Sequence, residues 1–143
     1  MAPSWHVQPA SQEDRAAVAA LWRSTGLGSV DDVEWRALVA GPCARLFIAR
    51  EGHSVVGTAV AAFDGWRAYV YHVAVTPART GEGIAQALMA HAEDELRGQG
   101  ARRVYVLVDQ ANTAGYALCC AAGYEPEGDV ALVKQLLVAE LAR

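Results

Sequence analysis

The residues with the clearest chemical potential form a glycine-containing loop between an apolar strand and an amphipathic helix. The strand ends at Val75, Pro77 follows it, and the loop runs from Thr80 to Ala85. The first N–H groups of a helix have no partner within the helix and lie at the positive end of its dipole. The loop is therefore predicted to bind an anion, with a phosphate or pyrophosphate as the natural ligand. The N–H groups concerned belong to Gly81, Gly83, Ile84 and Ala85.

Three kinds of phosphate loop fit a strand–loop–helix arrangement, and the residues distinguish them. A Walker loop requires Gly-Lys-Ser/Thr, which does not occur in the chain. A dinucleotide loop requires Gly-x-Gly-x-x-Gly, but Gln86 stands where the third glycine should be. The third pattern is Gln/Arg-x-x-Gly-x-Gly/Ala. It matches residues 80–85 except at the first position, where Thr80 stands.

With this loop and a second motif, the chain resembles the GCN5-related N-acetyltransferase (GNAT) superfamily. The first motif is the strand Val73–Val75, then the loop, then a helix that carries Ala87-Leu88-Met89. The second is Asn112, followed by a short helix that ends in Ala121-Ala122-Gly123-Tyr124. The resemblance covers most of the chain and is nearest to small bacterial single-domain members.

The resemblance implies acetyl-CoA as co-substrate, with no metal. The backbone of Val73, Ala74 and Val75 would pair with the pantetheine arm, and the loop would hold the pyrophosphate. The side chain of Asn112 would hydrogen-bond the same arm. Asn112 is equally favourable as the N-cap of the helix that starts at Thr113, and the two roles are compatible.

The loop departs from the family pattern in its charge. The first position usually carries Gln or Arg, whereas Thr80 offers a hydroxyl without a charge. The nearest cation is Arg79, one residue earlier. Glu82 adds a carboxylate near the expected phosphates, which costs affinity unless the side chain points to solvent. We therefore expect coenzyme affinity to be weaker than is usual for the family.

Cys119 stands where many family members carry the tyrosine that protonates the leaving thiolate of coenzyme A. A thiol near its reference pKa of about 8.5 can donate a proton. Free cysteine is also commonly a small buried hydrophobic residue, and this packing role is the favoured interpretation. Tyr116, one helical turn earlier, can substitute in part as the acid. A third alternative makes Cys119 the acceptor of the acetyl group, although the family generally transfers directly.

The general base is the least defined part of the site. The family often uses a Glu on the strand before the loop, but no Asp or Glu lies between Trp66 and Val75. His72 and Tyr71 are the titratable candidates on that strand. An imidazole titrates near neutral pH, which suits a base, although a lone His in a strand is more often structural. Strand alternation places Tyr71 on one face with Val73 and Val75, and His72 on the other. Glu125 and Asp64 are outside candidates.

The elements that must position these residues follow from periodicity and turn signals. We predict an α/β (α+β) fold of the GNAT type. Its mixed, mostly antiparallel sheet would have six to seven strands, flanked by about four helices and splayed at the strand before the loop. Predicted strands are 5–8, 45–51, 54–63, 69–75, 103–108, 124–127 and 130–137, with 103–108 apolar enough to be central. Predicted helices follow Ser11 and Asp31 or Asp32, and span 83–97 and 113–122, while residues 138–143 fray or add a helical turn.

Composition narrows the functional class. A chain of 143 residues, 53% apolar, is predicted to form one domain over residues 1–143. A net charge of −4 argues against general nucleic-acid binding. The chain contains no run of 18 apolar residues, so we expect no membrane-spanning helix. The N-terminus does not resemble a signal peptide. Cys43, Cys119 and Cys120 form neither a disulfide framework nor a zinc site, which favours a reducing cytoplasm.

The sequence thus predicts a cytoplasmic N-acetyltransferase that moves an acetyl group from acetyl-CoA to a primary amine by direct attack on the thioester. The acceptor is a small-molecule amine or a peptide N-terminus, and a homodimer is compatible with the resemblance. The alternative is a non-catalytic acyl-CoA-binding or regulatory module on the same fold, since fold does not guarantee activity. A nucleotide-binding redox domain is a third alternative, which the absent third glycine disfavours.

Overall fold

The chain folds as a mixed β-sheet between two helical layers. The computed structural model describes residues 2–137. The strands are β1 (His6–Pro9), β2 (Ala44–Glu51), β3 (Ser54–Phe63), β4 (Ala68–Val75) and β5 (Val104–Val106). The helices are α1 (Arg15–Ser24), α2 (Asp32–Ala40), α3 (Ile84–Gly98) and α4 (Thr113–Ala121). Short 3₁₀ turns at Gln12–Asp14 and Pro77–Arg79 precede α1 and the loop.

The sheet is a meander with one parallel addition. Over residues 2–137 it has five strands in the order β1-β2-β3-β4-β5. The pairs β1–β2, β2–β3 and β3–β4 are antiparallel, and β5 runs parallel to β4 after the α3 crossover. The GNAT-type α/β architecture predicted from the sequence is confirmed, with a smaller strand count than the expected six to seven.

Both faces of the sheet are covered by helices. On one face α3 packs its apolar stripe, and Ile84, Leu88, Ala92 and Leu96 are each no more than 1% exposed. On the other face α1 and α2 contribute Val18, Trp22, Trp35 and Leu38 to a second core. The i, i+4 spacing of the α3 stripe explains this, because residues four apart lie on one side of a helix. The candidate loop is therefore anchored on the α3 side of the sheet.

Gly57 allows α3 to approach the sheet beside the end of β4. A Cβ at this position would lie 2.8 Å from the Cγ2 of Ile84 and 2.8 Å from the Cδ1 of Leu88. Both side chains are buried, so neither can move aside freely. Gly57 pairs with Val75, the last residue of β4. The missing side chain thus sets the N-terminus of α3 close to the carboxyl end of β4.

Two expectations about the end of the chain are wrong. Residues 124–127 and 130–137 are described by the structure but form no strand, and Val130, Leu132 and Leu136 are 77%, 92% and 89% exposed. Within residues 2–137 β5 is consequently an edge strand rather than a central one, and it spans three residues instead of six. A short apolar run such as 130–133 is compatible with a strand, but a strand also needs a partner, and these residues have none in the described part of the chain. The predicted behaviour of residues 138–143 lies outside the described residues.

The remaining element boundaries agree with the sequence to within a few residues. In α2, for example, Asp31 Oδ1 accepts from the Glu34 N–H at 2.8 Å, and Glu34 Oε1 accepts from the Asp31 N–H at 2.8 Å. This reciprocal capping box fixes the start of the helix. None of the helices in residues 2–137 combines the length and apolarity needed to cross a membrane.

Candidate active site

The loop between β4 and α3 presents open backbone donors. Gly81 and Gly83 adopt φ of 86° and 84°, a left-handed conformation that favours glycine. Gly83 is the N-cap of α3, and no side chain of the described residues caps the helix there. A Cβ at either glycine would meet no atom within 4 Å, so the space in front of the loop is open. The arrangement can accept a phosphate on the first N–H groups of α3.

The cation nearest the loop is already paired. The Arg79 guanidinium lies between two carboxylates, with Nε 2.7 Å from Glu82 Oε2 and Nη2 2.9 Å from Glu82 Oε1. On its other side Nη2 donates to Glu51 Oε2 at 3.1 Å, and Nη1 donates to Glu51 Oε1. Ser4 also donates to Glu51. Arg79 therefore holds the loop to the end of β2, and its positive charge is more than balanced by the two carboxylates beside it.

The charge state of this cluster follows from its hydrogen bonds. The side-chain hydrogen bond from Arg79 lowers the pKa of Glu82, and the same guanidinium lowers the pKa of Glu51. Both carboxylates are consequently ionised at neutral pH. Thr80, at the position where the family carries a longer side chain, turns its hydroxyl to the Pro77 carbonyl at 3.2 Å. The loop must bind an anion mainly through backbone groups.

We expect Glu82→Gln to strengthen binding of a phosphate-bearing ligand such as acetyl-CoA by roughly three- to tenfold, the range for one partly exposed charge. The substitution removes a negative charge beside the loop and leaves Arg79 with a single carboxylate partner. Isothermal titration calorimetry at low and high salt is the measurement, and the gain should shrink at high salt.

The matched control for this prediction is Asp94→Asn, which makes the same change in net charge on the exposed side of α3, where Asp94 pairs with Arg97. Equal affinities for the two variants, or a weaker affinity for Glu82→Gln, would show that Glu82 does not oppose the phosphate.

The β4 strand has an unpaired edge immediately before the loop. Pairing between β4 and β5 covers only Ala68–Val70 against Val104–Val106. Strand β4 continues to Val75, whereas β5 ends at Val106. Within residues 2–137, the backbone of residues 71–75 therefore has no strand partner on the β5 side, in agreement with the predicted splay. An extended ligand could pair with such an edge as an added strand does.

A bulge interrupts β4 within this unpaired stretch. Thr58 pairs with Ala74 but Val60 pairs with Tyr71, so two residues of β4 oppose one residue of β3. His72, one of the two, has φ of 50° and is the non-glycine residue with positive φ in the described chain. A bulged residue redirects its side chain, and such backbone outliers concentrate at functional sites.

The bulge overturns the expected alternation of β4. Tyr71 packs with the core on the α1 and α2 side, whereas Val73 and Val75 pack with the α3 core. The His72 ring lies on the same side as Tyr71, since it meets Trp22 edge-to-face with centroids 4.7 Å apart. The prediction that Tyr71 shares a face with Val73, opposite His72, is therefore wrong. The extra residue shifts the period of two by one position.

His72 is electrostatically suited to accept a proton. Burial lowers its pKa from the ordinary 6.5, and a hydrogen bond to the backbone of Gly28 partly offsets this. The imidazole is half-buried and neutral at pH 7. Its Tyr71 neighbour, with ring centroids 5.9 Å apart, has a pKa raised by burial and stays protonated. Of the two strand candidates, His72 is thus the one with an available lone pair at neutral pH.

The α4 residues occupy a different environment. Cys119 is 8% exposed, and burial raises the pKa of its thiol. Tyr124 donates its backbone N–H to the Cys119 carbonyl at 3.0 Å and its hydroxyl to Glu93 at 2.5 Å. Tyr116 is 51% exposed. Cys119 and Tyr116 line a groove of about 860 Å³ along β5, which residues 71–75 do not line.

Asn112 acts as the N-cap of α4. Its Oδ1 accepts from the Gly115 N–H at 2.9 Å. A Cβ at Gly115 would lie 2.5 Å from the Asn112 Nδ2, so the glycine makes room for the capping side chain. The capping role is thus present, and the predicted contact with a pantetheine arm stays a prediction.

The two outside candidates for the base lie away from the bulge. Asp64 accepts from the N–H groups of Trp66 and Arg67 at 2.8 and 2.7 Å, in the turn before β4 and at the opposite end from the loop. Glu125 is exposed in the segment after α4. A cavity of about 400 Å³ near Arg67, Arg102 and Arg103 also belongs to that opposite end.

Sequence reasoning missed three residues that organise the site. Glu51 pairs with Arg79 from 28 positions away. Trp22 donates its indole N–H to Thr58 Oγ1 at 2.9 Å, and Thr58 donates to the His72 carbonyl at 3.0 Å. Thr58 carried a signal, because it is the single polar side chain in the run Val55–Phe63. The other two depend on contacts between distant parts of the chain.

Comparison with known proteins identifies the family of the chain. The model of the acetyltransferase (GNAT) family matches residues 20–124, which is more than half of the chain. The chain belongs to the GNAT family. An acetyltransferase from Photorhabdus laumondii is 32% identical over 135 residues, covering 89% of this chain and 92% of the relative.

Solved structures share the fold of this GNAT protein. An aminoglycoside N-acetyltransferase in complex with CoA aligns with a TM-score of 0.79 at 17% identity, over 93% of this chain and 95% of that one. A ribosomal-protein-alanine N-acetyltransferase from Brucella melitensis aligns with a TM-score of 0.73 at 18% identity, over 92% and 99%. At these identities the likeness shows the fold alone. Among residues 2–137, no group of three or more His, Cys, Asp or Glu side chains is placed to hold a metal ion.

Proposed function

We propose that this GNAT protein transfers an acetyl group from acetyl-CoA to a primary amine by direct attack on the thioester. The observation that carries the proposal is the adjacency of two features. The α3 N-terminus lacks a side-chain cap, and it follows directly on the unpaired β4 edge at residues 71–75. One can bind a pyrophosphate and the other an extended arm, which together match the two halves of coenzyme A.

The binding contacts proposed for acetyl-CoA are mostly backbone groups. The N–H groups of Gly81, Gly83, Ile84 and Ala85 hold the pyrophosphate, with Arg79, Thr80 and Glu82 setting the local charge. The backbone of Val73, Ala74 and Val75 pairs with the pantetheine arm. The side chain of Asn112 extends the same arm's contacts from α4. The CoA complex of the structurally similar aminoglycoside N-acetyltransferase supports this choice of ligand.

His72 is proposed as the general base. The amine nitrogen must lose a proton as it bonds to the thioester carbon, while the C–S bond breaks and the thiolate leaves. Burial lowers the pKa of His72 from the ordinary 6.5, so its imidazole is neutral at pH 7 and has a lone pair that can take that proton. Tyr71, the other candidate on the strand, remains neutral beside it. A backbone N–H at the end of β4, at Val75 or its neighbour, would polarise the carbonyl.

Cys119 is expected to pack rather than to transfer protons, so we predict that Cys119→Ala changes turnover by only a few-fold. Its thiol is buried and its pKa is raised, which keeps it protonated and weakly reactive. Initial rates and thermal melting of the variant are the measurements. Tyr116→Phe is the companion variant, because Tyr116 is the alternative donor on the same helix. A loss of 10²-fold or more in Cys119→Ala, with melting unchanged, would assign the acid role to the thiol.

The proposed acceptor is a small-molecule amine or a peptide N-terminus, acting in the cytoplasm within a single domain over residues 1–143. The mechanism requires no metal, membrane or nucleic acid, and it is compatible with a homodimer. The competing proposal is a non-catalytic acyl-CoA-binding module on the same fold. It is favoured by the lack of an acidic residue in β4 and by the partnered Arg79.

Calorimetric titration of the protein with acetyl-CoA tests the choice of co-substrate, with NADH and ATP as controls. We expect micromolar binding of acetyl-CoA and no comparable binding of the controls. Equal binding of all three ligands, or of none, would mean that the loop holds a different phosphate. Release of the coenzyme A thiol that depends on added amine separates the enzyme from the non-catalytic module.

A further inference from the structure

A buried polar connection links α1 to the bulge in β4. Thr58 is fully buried and Trp22 is 2% exposed. The Trp22 Nε1–H donates to Thr58 Oγ1 at 2.9 Å, and the Thr58 hydroxyl donates to the His72 carbonyl at 3.0 Å. The Thr58 hydroxyl thus donates its single proton in one hydrogen bond and accepts a second hydrogen bond from Trp22. A buried network whose members are all satisfied is rigid, and it specifies one local arrangement.

The connection acts at the strained point of the strand. His72 has φ of 50°, which side chains of this size rarely adopt, so the surrounding contacts must hold it there. Thr58 stands at the register shift itself, since the irregularity falls between Thr58 and Val60. Its hydroxyl donates a hydrogen bond to the carbonyl of His72, the residue with the positive φ. The backbone of the bulge is therefore fixed from β3 rather than by β4 alone.

Trp22 also contacts the side chain of the same residue. Its ring meets the His72 ring edge-to-face, with centroids 4.7 Å apart and an interplanar angle of 77°. One tryptophan therefore touches the His72 ring directly and holds the His72 carbonyl through Thr58. The backbone and the ring of His72 are therefore both held by the same α1 side chain, one through Thr58 and the other directly.

We propose that Thr58 is a positioning residue for the acetyl-transfer site, in which its hydroxyl, held by Trp22, fixes the bulge and aims the His72 imidazole. The consequence for catalysis rests on the proposed function, because it requires His72 to take the amine proton. The positioning itself does not, and it can be measured without turnover.

Thr58→Val tests the proposal, with Thr58→Ser as the matched control. Valine keeps the shape and removes the hydroxyl, whereas serine keeps the hydroxyl. The first readout is the NMR titration of the His72 ring in the free protein. The neighbours of that ring are Trp22 from α1, Gly28 from the α1–α2 connection and Tyr71 from β4. Of these only Tyr71 titrates, and burial raises its pKa, so it titrates well above the pH range of a histidine.

We expect the His72 pKa to rise toward its ordinary value in Thr58→Val, because a loosened ring gains solvent, and to stay near wild type in Thr58→Ser. In the second readout, kcat should fall about tenfold or more in Thr58→Val while KM for acetyl-CoA changes less than threefold. Thr58→Ser should restore kcat. A general loss of stability would lower the active fraction without moving the titration of the folded protein.

Trp22→Phe is the second variant, for use if Thr58→Val does not fold. It keeps an aromatic ring against His72 and removes the indole donor, and the same direction of change in the titration is expected. An unmoved His72 titration in folded Thr58→Val or Trp22→Phe would overturn the proposal. So would equal behaviour of the Val and Ser variants. Absence of turnover in the wild type would instead count against the proposed function, and the titration would still decide the positioning.

Discussion

His72→Asn is expected to lower kcat/KM for the amine by roughly 10²- to 10⁴-fold, the usual contribution of a general base. Asparagine tolerates a positive φ better than other non-glycine residues, so the bulge at φ of 50° should be retained. The imidazole, which is neutral at pH 7 because burial lowers its pKa, is lost. Initial rates at varied amine concentration give the effect, and calorimetry with acetyl-CoA should find an unchanged affinity.

The pH profile gives the same prediction a second test. The base acts when it is neutral, so wild-type kcat/KM should fall as the pH drops through the His72 pKa. That midpoint should lie below 6.5, since burial lowers the pKa from this value. The acid limb should be absent from the residual activity of His72→Asn. A variant with wild-type rates, or with an unaltered acid limb, would exclude His72 as the base.

Gly83→Asp is expected to weaken acetyl-CoA binding on the order of 10²-fold or more. The added side chain fits, because a Cβ at Gly83 meets no atom within 4 Å, and Asp tolerates a positive φ. It places a carboxylate beside the position of the pyrophosphate. Two like charges about 4 Å apart repel by about 4 kcal/mol at an effective dielectric of 20. Calorimetric titration with acetyl-CoA measures the loss.

The control for this variant is Gly83→Asn, which has the same shape without the charge and should bind within about tenfold of wild type. Thermal melting should not fall further in the Asp than in the Asn variant, because an acidic residue near a helix N-terminus is favourable. Loss of binding would then be separated from loss of folding. Equal affinities of the two variants would contradict a phosphate at the α3 N-terminus.

The sequence predicted those parts of the fold that depend on neighbouring residues. The start of α2 follows from the acidic N-cap predicted at Asp31 or Asp32, which the structure shows to be Asp31, and α3 follows from apolar residues spaced by four. Both signals lie within a few residues of the element that they define. The same holds for the loop, since glycines at 81 and 83 before a helical pattern indicate a left-handed turn.

The orientation of His72 could not be predicted, because it depends on register. Alternation assumes one residue of β4 for each residue of β3, and the bulge breaks that assumption between Thr58 and Val60. The bulge is contacted by the Thr58 hydroxyl, which accepts a hydrogen bond from Trp22, 36 positions earlier in the chain. A period of two describes a strand only between its irregularities.

The prediction of strands at 124–127 and 130–137 was wrong for a related reason. The segment 130–137 begins with four apolar residues in a row, and such a short apolar run is compatible with a strand, yet Leu132 is 92% exposed. Strand formation needs a paired edge, and the sequence contains no information on which edge is reached.

The charge of the loop is a third feature that the sequence predicts only in part. The Arg79–Glu82 pair follows from a spacing of three, but the Glu51 contact comes from the distant end of β2.

The most direct test of the central claim is amine-dependent acetyl transfer by the wild-type protein, with His72→Asn in parallel. The protein is incubated with acetyl-CoA and a panel of small primary amines and peptides. Release of the coenzyme A thiol is followed together with the mass of the acetylated amine. We expect matched release and acetylation that require an amine and are nearly lost in His72→Asn. Tight binding of acetyl-CoA without amine-dependent release would contradict the central claim and favour a non-catalytic acyl-CoA-binding module.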